Sequence, residues 1–223
     1  MIKNKVRSKA IKILISSKKA ILNNLRKVIT SGSFDYRTFG TDIEVHISDV
    51  LIKNFKKAGL IKNNHDYFLA PDKNYFPDLE LKITPLAIEY KAGNKSKLSK
   101  GQWIIANNSN NDMGTFNKWP SKIKKFGKDN IYYVFVIYDF NDRVKKIIDI
   151  QIAPFYKFIG LNSNMLLKYR EKDGNLRPKD FDADSPIKTF EQFKKLFNKT
   201  IVYRSKRIIK KHRLIIKRAD KDS

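Results

Sequence analysis

The 223-residue chain contains no cysteine, which excludes disulfides, cysteine-ligated zinc and thiol catalysis. It has only three histidines, His46, His65 and His212, and they lie far apart in the sequence. Reactions that rely on a histidine to deprotonate water are therefore disfavoured. No apolar run reaches the roughly 20 residues that a membrane-spanning helix needs, and no secretory signal pattern is found. We expect a cytoplasmic protein without a membrane segment.

Acidic residues are also scarce, because 22 Asp and Glu stand against 47 Lys and Arg, a formal net charge of +25 at pH 7. Such an excess of one sign repels itself in a compact chain and is best explained by a polyanionic partner. Apolar residues make up 41% of the chain, which is enough for a globular core. The composition predicts a nucleic-acid-binding protein, and the alternative is a charge that serves solubility alone.

Two helices are predicted in the first 60 residues. Apolar residues recur at helical spacing over residues 8–30, and again from a cap at Thr41 or Asp42 to Gly59. Glu44 borders the apolar face of the second helix, where an acid is costly unless it has a partner. It is either a solvated or capping glutamate or a carboxylate that points toward a metal site.

The second half of the chain predicts a buried sheet and a long basic helix. Residues 131–140 are the most apolar segment and predict a central strand buried on both faces, with residues 144–152 as its hairpin partner. Residues 165–185 are charged and turn-rich and predict irregular structure. A helix with a capping-box pattern begins at Thr189. Its later part, residues 204–218, either contacts phosphates or is a solvated tail.

The side chains that carry chemistry are concentrated in a predicted hairpin. Asp78 follows a proline in the first strand, and Thr84-Pro85 makes the turn. The second strand carries Glu89 and Lys91 on one face and is closed by Gly93. Two carboxylates on adjacent strands suit Mg²⁺, which prefers oxygen ligands and keeps water in its shell. A lysine on the same face can orient or deprotonate an attacking water and offset charge at phosphorus.

The order of these residues resembles type II restriction endonucleases of the PD-(D/E)xK family: a helix with Glu44, then Pro77-Asp78, then Glu89-Tyr90-Lys91. The run from Asn110 to Lys118 and the apolar strand at 132–138 extend the resemblance to a blunt-cutting member. The resemblance implies an α/β (α+β) fold in which helices flank a mixed central sheet.

Carried over by motif, the resemblance implies Asp78 and Glu89 as metal ligands and Lys91 as the catalytic lysine. It implies Glu44 as a further catalytic and metal-binding acid, with Asp42 or Asp49 of the same helix as the alternative, and Mg²⁺ as the cofactor. The triplet begins with glutamate here where some members carry aspartate, which changes the reach of the ligand. The resemblance also implies a homodimer on palindromic double-stranded DNA, blunt ends and a cognate DNA methyltransferase in the same host.

An asparagine-rich segment follows the hairpin. Asparagine reads adenine through paired hydrogen bonds, so we expect this segment to recognise DNA; the alternative is a polar surface loop. Residues 96–106 could include a helical turn. The candidates for DNA contact, with the two lysines assigned to phosphates, are Asn107, Asn108, Asn110, Asn111, Asn117, Lys118 and Lys122.

Neither an internal repeat nor a linker divides the chain, and we expect one endonuclease domain over residues 1–223. Its parts are N-terminal helices (1–70), the catalytic sheet with the recognition segment (71–160), and a loop region with the basic C-terminal helix (161–223). The sequence thus predicts a sequence-specific DNA endonuclease. Two alternatives stay open: a structure-specific nuclease of the same fold, such as a junction resolvase or repair nuclease, and a non-catalytic basic DNA-binding protein.

Overall fold

The computed structural model describes residues 2–31, 39–72, 75–97, 103–105, 112–140, 145–180 and 183–222. Three helices come first: α1 (Ile2–Ser16), α2 (Lys18–Ser31) and α3 (Phe39–Lys57). Four strands follow: β1 (Tyr67–Leu69), β2 (Leu79–Leu81), β3 (Leu86–Lys97) and β4 (Trp103–Ile105). The remaining elements are α4 (Trp119–Phe126), β5 (Ile131–Phe140), β6 (Lys145–Pro154) and α5 (Phe190–Asp222).

The strands form one mixed sheet in the order β1-β2-β3-β5-β6, and β4 pairs with the far end of β3. β3 and β5 run parallel, whereas every other pair is antiparallel. A parallel pair needs a crossover connection, and here the connection includes β4 and α4. The predicted α+β class, with helices on a mixed sheet, is confirmed.

Alternation along β3 and β5 divides the core into two layers. Ile88 and Tyr90, with Val134 of β5, belong to the layer that packs against α1, α2 and α3. Ala87 and Tyr133 belong to the opposite layer, which contains α4 and the start of α5. Both faces of the two strands are therefore covered, and the central position predicted for residues 131–140 is confirmed.

The single helix predicted over residues 8–30 is wrong, because α1 and α2 meet at a break at Ser17. The Ser17 hydroxyl donates to the carbonyl of Ile13 at 2.7 Å and accepts from Asn54 Nδ2 of α3 at 2.9 Å. A serine that bonds back to the preceding turn favours a bend, and the contact with α3 holds it. Apolar spacing alone does not reveal such a break.

One expectation about the hairpin region is also wrong. Gly93 does not close the second strand, because β3 continues to Lys97 and pairs there with β4. Within the segment that could include a helical turn, residues 103–105 form β4, and residues 98–102 and 106 lie outside the described residues. The pairing of β3 with β4, and not the glycine, decides where the strand ends.

Of the C-terminal predictions, the irregular loop region and the helix start at Thr189 are confirmed within the described residues, although the Gln192 side chain accepts from the backbone N–H of Lys188 and so does not complete a capping box. Residues 159–178 contain isolated bridges in place of regular strands or helices. Thr189 caps α5, since its hydroxyl accepts from the backbone N–H of Gln192 at 3.2 Å. Throughout the described ranges, no helix combines the length and the apolar character that crossing a membrane requires.

Candidate active site

The predicted hairpin is present, and its register brings Asp78 to β3. Leu79 pairs with Ile88 and Leu81 with Leu86, so the residue just before β2 lies next to Glu89, near the start of β3. Asp78 Oδ2 accepts the backbone N–H of Tyr90. This bond fixes one carboxylate next to the strand segment that carries the glutamate and the lysine.

Glu89 and Lys91 lie on the face of β3 that alternates away from Tyr90. Lys91 Nζ donates to Glu89 Oε1 at 2.8 Å. Glu89 is 7% exposed, and its other oxygen, Oε2, is buried without a hydrogen-bond partner among the described residues. On the opposite face, the Tyr90 hydroxyl is 3.0 Å from Ser48 Oγ of α3, which ties the strand to that helix. The pair is therefore held on a rigid central strand.

The cluster formed by Asp78, Glu89 and Lys91 contains two acidic side chains and only one basic one. Burial raises the pKa of Asp78 to about 8, and repulsion from Glu89 adds to this, against the attraction of Lys91. For Lys91, burial alone would lower the pKa, but Glu89 and Asp78 outweigh it and the pKa is raised. The lysine is thus held as a cation, while the second carboxylate lacks a full counter-charge.

Glu44 approaches the cluster from α3. With Asp78, Tyr90 and Asp49 it lines a cleft of about 350 Å³ between α3 and the start of β2. Burial raises the pKa of Glu44, Lys91 lowers it and Glu89 raises it, so the side chain lies within the field of the cluster. The structure therefore brings the helix acid and the hairpin residues to one place.

The donor set fits a hard divalent cation such as Mg²⁺. In the part of the chain that the structure describes, no three Asp, Glu or His side chains are grouped closely enough to hold a metal by themselves. The two hairpin carboxylates, however, offer oxygen ligands, and the unpartnered Oε2 of Glu89 is a buried acceptor that a cation would satisfy. Asp78 and Glu89 are the residues that would hold it, with water and substrate oxygens completing its shell.

The structure describes only some of the predicted DNA-contact residues. Asn107, Asn108, Asn110 and Asn111 lie outside the described residues. Asn117 and Lys118 are exposed in the single turn that precedes α4. These two side chains are accessible to a ligand.

Lys122 lies closer to the hairpin than the sequence indicated. It is half-buried on α4, and its ammonium is 3.5 Å from the centroid of the Phe76 ring, just before Asp78 in the chain. It interacts electrostatically with Glu89 and Asp78. Sequence reasoning assigned Lys122 to phosphates but not to this site, because the position of α4 over the sheet depends on the β3–β5 crossover.

A second group of residues that sequence reasoning did not identify joins Asp112 to two arginines of the loop region. The Asp112 carboxylate pairs with Arg177 and, at 2.7 Å, with Arg170. Thr115 and Asn175 add a β-bridge between the same two stretches. Residues 112–115, which precede α4, are thus joined to the loop region at residues 170–177. No local pattern pairs residues so distant in sequence.

Comparison with known proteins supports the fold. No protein-family model matches the chain, and no curated protein matches it in sequence. Among solved structures, the chain is similar to the NlaIV restriction endonuclease, with a TM-score of 0.51 and 16% sequence identity. The match covers 77% of this chain and 67% of that one. The chain therefore has a restriction endonuclease-like fold.

Proposed function

We propose that this chain, with its restriction endonuclease-like fold, is a Mg²⁺-dependent DNA endonuclease of the type II restriction class. The observation that carries the proposal is the meeting of Asp78, Glu89 and Lys91 at one hairpin, with a buried carboxylate oxygen left unpartnered. Such a constellation suits phosphodiester hydrolysis, which needs an activated water and neutralised charge at phosphorus.

In this mechanism Asp78 and Glu89 would hold the metal ion, which would supply Lewis-acid activation of water and phosphate oxygens. Lys91 donates to Glu89 on the same face of β3. Its proposed role is to orient the attacking water and to stabilise negative charge that develops at phosphorus.

Glu44 acts from the far side of the cleft that it shares with Asp78. Its raised pKa reflects a half-buried carboxylate near two others, so it gains from any cation bound at the hairpin. We assign it the positioning of metal-bound water or of a second metal ion. Its contribution is expected to be smaller than that of the hairpin residues.

DNA binding rests on the +25 net charge and on the segment that leads from β3 to α4. We propose that the asparagines at positions 107, 108, 110, 111 and 117 recognise bases and that Lys118 contacts phosphates. A homodimer on a palindromic site, blunt ends and a cognate methyltransferase are proposed from the family resemblance.

The direct test is digestion of plasmid and phage DNA with Mg²⁺, with an EDTA control. Discrete fragments that share one end sequence are expected, and sequencing those ends gives both the target and the cut position. Cleavage confined to branched DNA would indicate the structure-specific nuclease instead. The absence of cleavage with every divalent ion on varied DNA would refute the proposal.

A further inference from the structure

The ammonium of Lys122 occupies a slot with aromatic walls beside the proposed active site. Its Nζ lies 3.5 Å from the Phe76 ring centroid and 5.2 Å from the Trp119 ring centroid. The Trp119 indole is fully buried and stacks on Phe155 at 4.1 Å between ring centroids, so this wall is rigid. The slot therefore holds a cation in a fixed place rather than on a mobile surface side chain.

A glycine keeps this slot open. A Cβ at Gly114 would lie 3.4 Å from Lys122 Nζ and 3.5 Å from Trp119 Nε1. Gly114 has φ +91°, a conformation that other residues rarely adopt. Because glycine has no side chain, this position leaves the Lys122 ammonium uncovered on one side.

The contacts of the Lys122 ammonium within the described ranges are with the faces of the two rings. Aromatic faces stabilise an ammonium but leave its hydrogen-bonding capacity unused. Burial lowers the pKa of Lys122 to about 8, even though Glu89 acts in the opposite direction. An oxyanion beside the ammonium would accept its hydrogens and favour the charged lysine.

From this geometry we infer that Lys122, held against the Phe76 and Trp119 rings with Gly114 leaving its ammonium open, binds a non-bridging phosphate oxygen of the DNA strand being cut. The inference rests on the proposed function and adds a second cation to the site, on α4, beside the one that β3 supplies. The ligand chemistry follows from the donor, since an ammonium offers hydrogens and accepts none. The rival explanation is that Lys122 only offsets the charge of Glu89 and Asp78.

The protein-side test compares Lys122→Met with Lys124→Met, a matched loss of one charge at an exposed position of the same helix. Single-turnover cleavage of a short duplex carrying the mapped site is measured with Mg²⁺. We expect Lys122→Met to slow cleavage on the order of 100-fold, and Lys124→Met less than about 3-fold. Lys122→Arg, which keeps the charge, should retain more activity than Lys122→Met.

Thermal unfolding separates this role from charge compensation. Methionine removes a half-buried ammonium, so the Tm of Lys122→Met should be unchanged or higher than that of the wild type. If Lys122 serves only as a counter-charge for the carboxylates, the variant should lose Tm and cleave as fast as Lys124→Met. That result would overturn the inference.

The DNA-side test replaces single phosphates around the cut with neutral methylphosphonates. Wild type and Lys124→Met should lose rate at the phosphate that Lys122 contacts, whereas Lys122→Met should be insensitive at that phosphate alone. Equal sensitivity of Lys122→Met at every position would contradict the inference. If the wild type cuts no DNA, the proposed function fails; the same substitutions, read by duplex affinity without metal, still decide whether Lys122 contacts a phosphate.

Discussion

Ion pairs of similar geometry occur at two very different places in this molecule. At the hairpin, Lys91 Nζ is 2.8 Å from Glu89 Oε1, and the two side chains are 20% and 9% exposed. At the C-terminal helix, Arg207 Nη1 is 2.6 Å from Glu171 Oε1, with side chains 55% and 60% exposed. The two ion-pair distances are similar, but the side chains of the hairpin pair are mostly buried and those of the other pair are mostly exposed.

The difference shows that environment, rather than the number of charges, marks a functional site. Water screens the exposed pair on α5, so its contribution to stability is small. At the hairpin, two carboxylates share one lysine away from bulk water, and Asp78 is left poorly compensated. That arrangement opposes folding and is explained by a ligand that completes it. Substitutions at the hairpin should therefore have large effects, and a substitution at the exposed pair a small one.

The largest effect is expected from Asp78→Asn, which removes a proposed metal ligand and should lower the cleavage rate by at least about 1000-fold. Because burial and Glu89 raise the pKa of Asp78 in the folded state, its charge opposes folding. The unfolding free energy of the wild type should then fall as pH rises from the ordinary carboxyl value toward about 8. In EDTA, Asp78→Asn should unfold at a higher temperature than the wild type, most clearly near pH 8. A lower Tm for the variant at that pH would contradict this.

Lys91→Met should lower the cleavage rate by a comparable or slightly smaller factor, on the order of 100- to 1000-fold. Unlike Asp78→Asn, it should also reduce stability, by about 1–3 kcal/mol, because it leaves Glu89 buried without its partner. Denaturant unfolding measures this loss. Combining it with Glu89→Gln should restore stability without restoring activity; a double variant as unstable as the single one would refute the pairing argument.

Glu44→Gln should have an intermediate effect, because the side chain acts on the cluster without bonding to it. We expect a cleavage rate reduced about 10-fold and a higher Mg²⁺ concentration for half-maximal rate. Titration of Mg²⁺ under single-turnover conditions measures both, and Asp49→Asn, in the same cleft but exposed, is the comparison. If Asp49→Asn has the larger effect, the assignment of Glu44 as the helix acid is wrong.

Glu171→Gln should have the smallest effect, since it removes only the exposed pair with Arg207. The cleavage rate should stay within a factor of about 2, and the Tm within about 1 °C of the wild type. If Glu171→Gln lost as much stability as Lys91→Met, the distinction between the buried and the exposed ion pair would be wrong.

The hairpin and β5 could be predicted from the sequence because their signals are local. Alternation placed Glu89 and Lys91 on one face, and a continuous apolar run marked residues 131–140 as central. The cap at Thr189 is equally local, since it depends on side chains within one turn. Each of these features is decided by residues close together in the chain.

What the sequence did not reveal depends on contacts between distant segments. The break at Ser17 depends on Asn54 of α3, which is 37 residues away in the chain. The approach of Lys122 to Asp78 follows from the parallel pairing of β3 with β5, which brings α4 over the sheet. Spacing within a segment carries no information about such packing.

Because β3 continues beyond Gly93, it holds Lys91 at a fixed distance from β4. From Lys91 to Lys97 the backbone advances about 20 Å as one uninterrupted strand, with β4 paired to its far end. One residue inserted between them would displace that end by about 3.3 Å, close to the 3.4 Å rise of one nucleotide step in B-DNA. The separation between the hairpin and β4 can therefore change only by whole residues, in steps of about 3.3 Å.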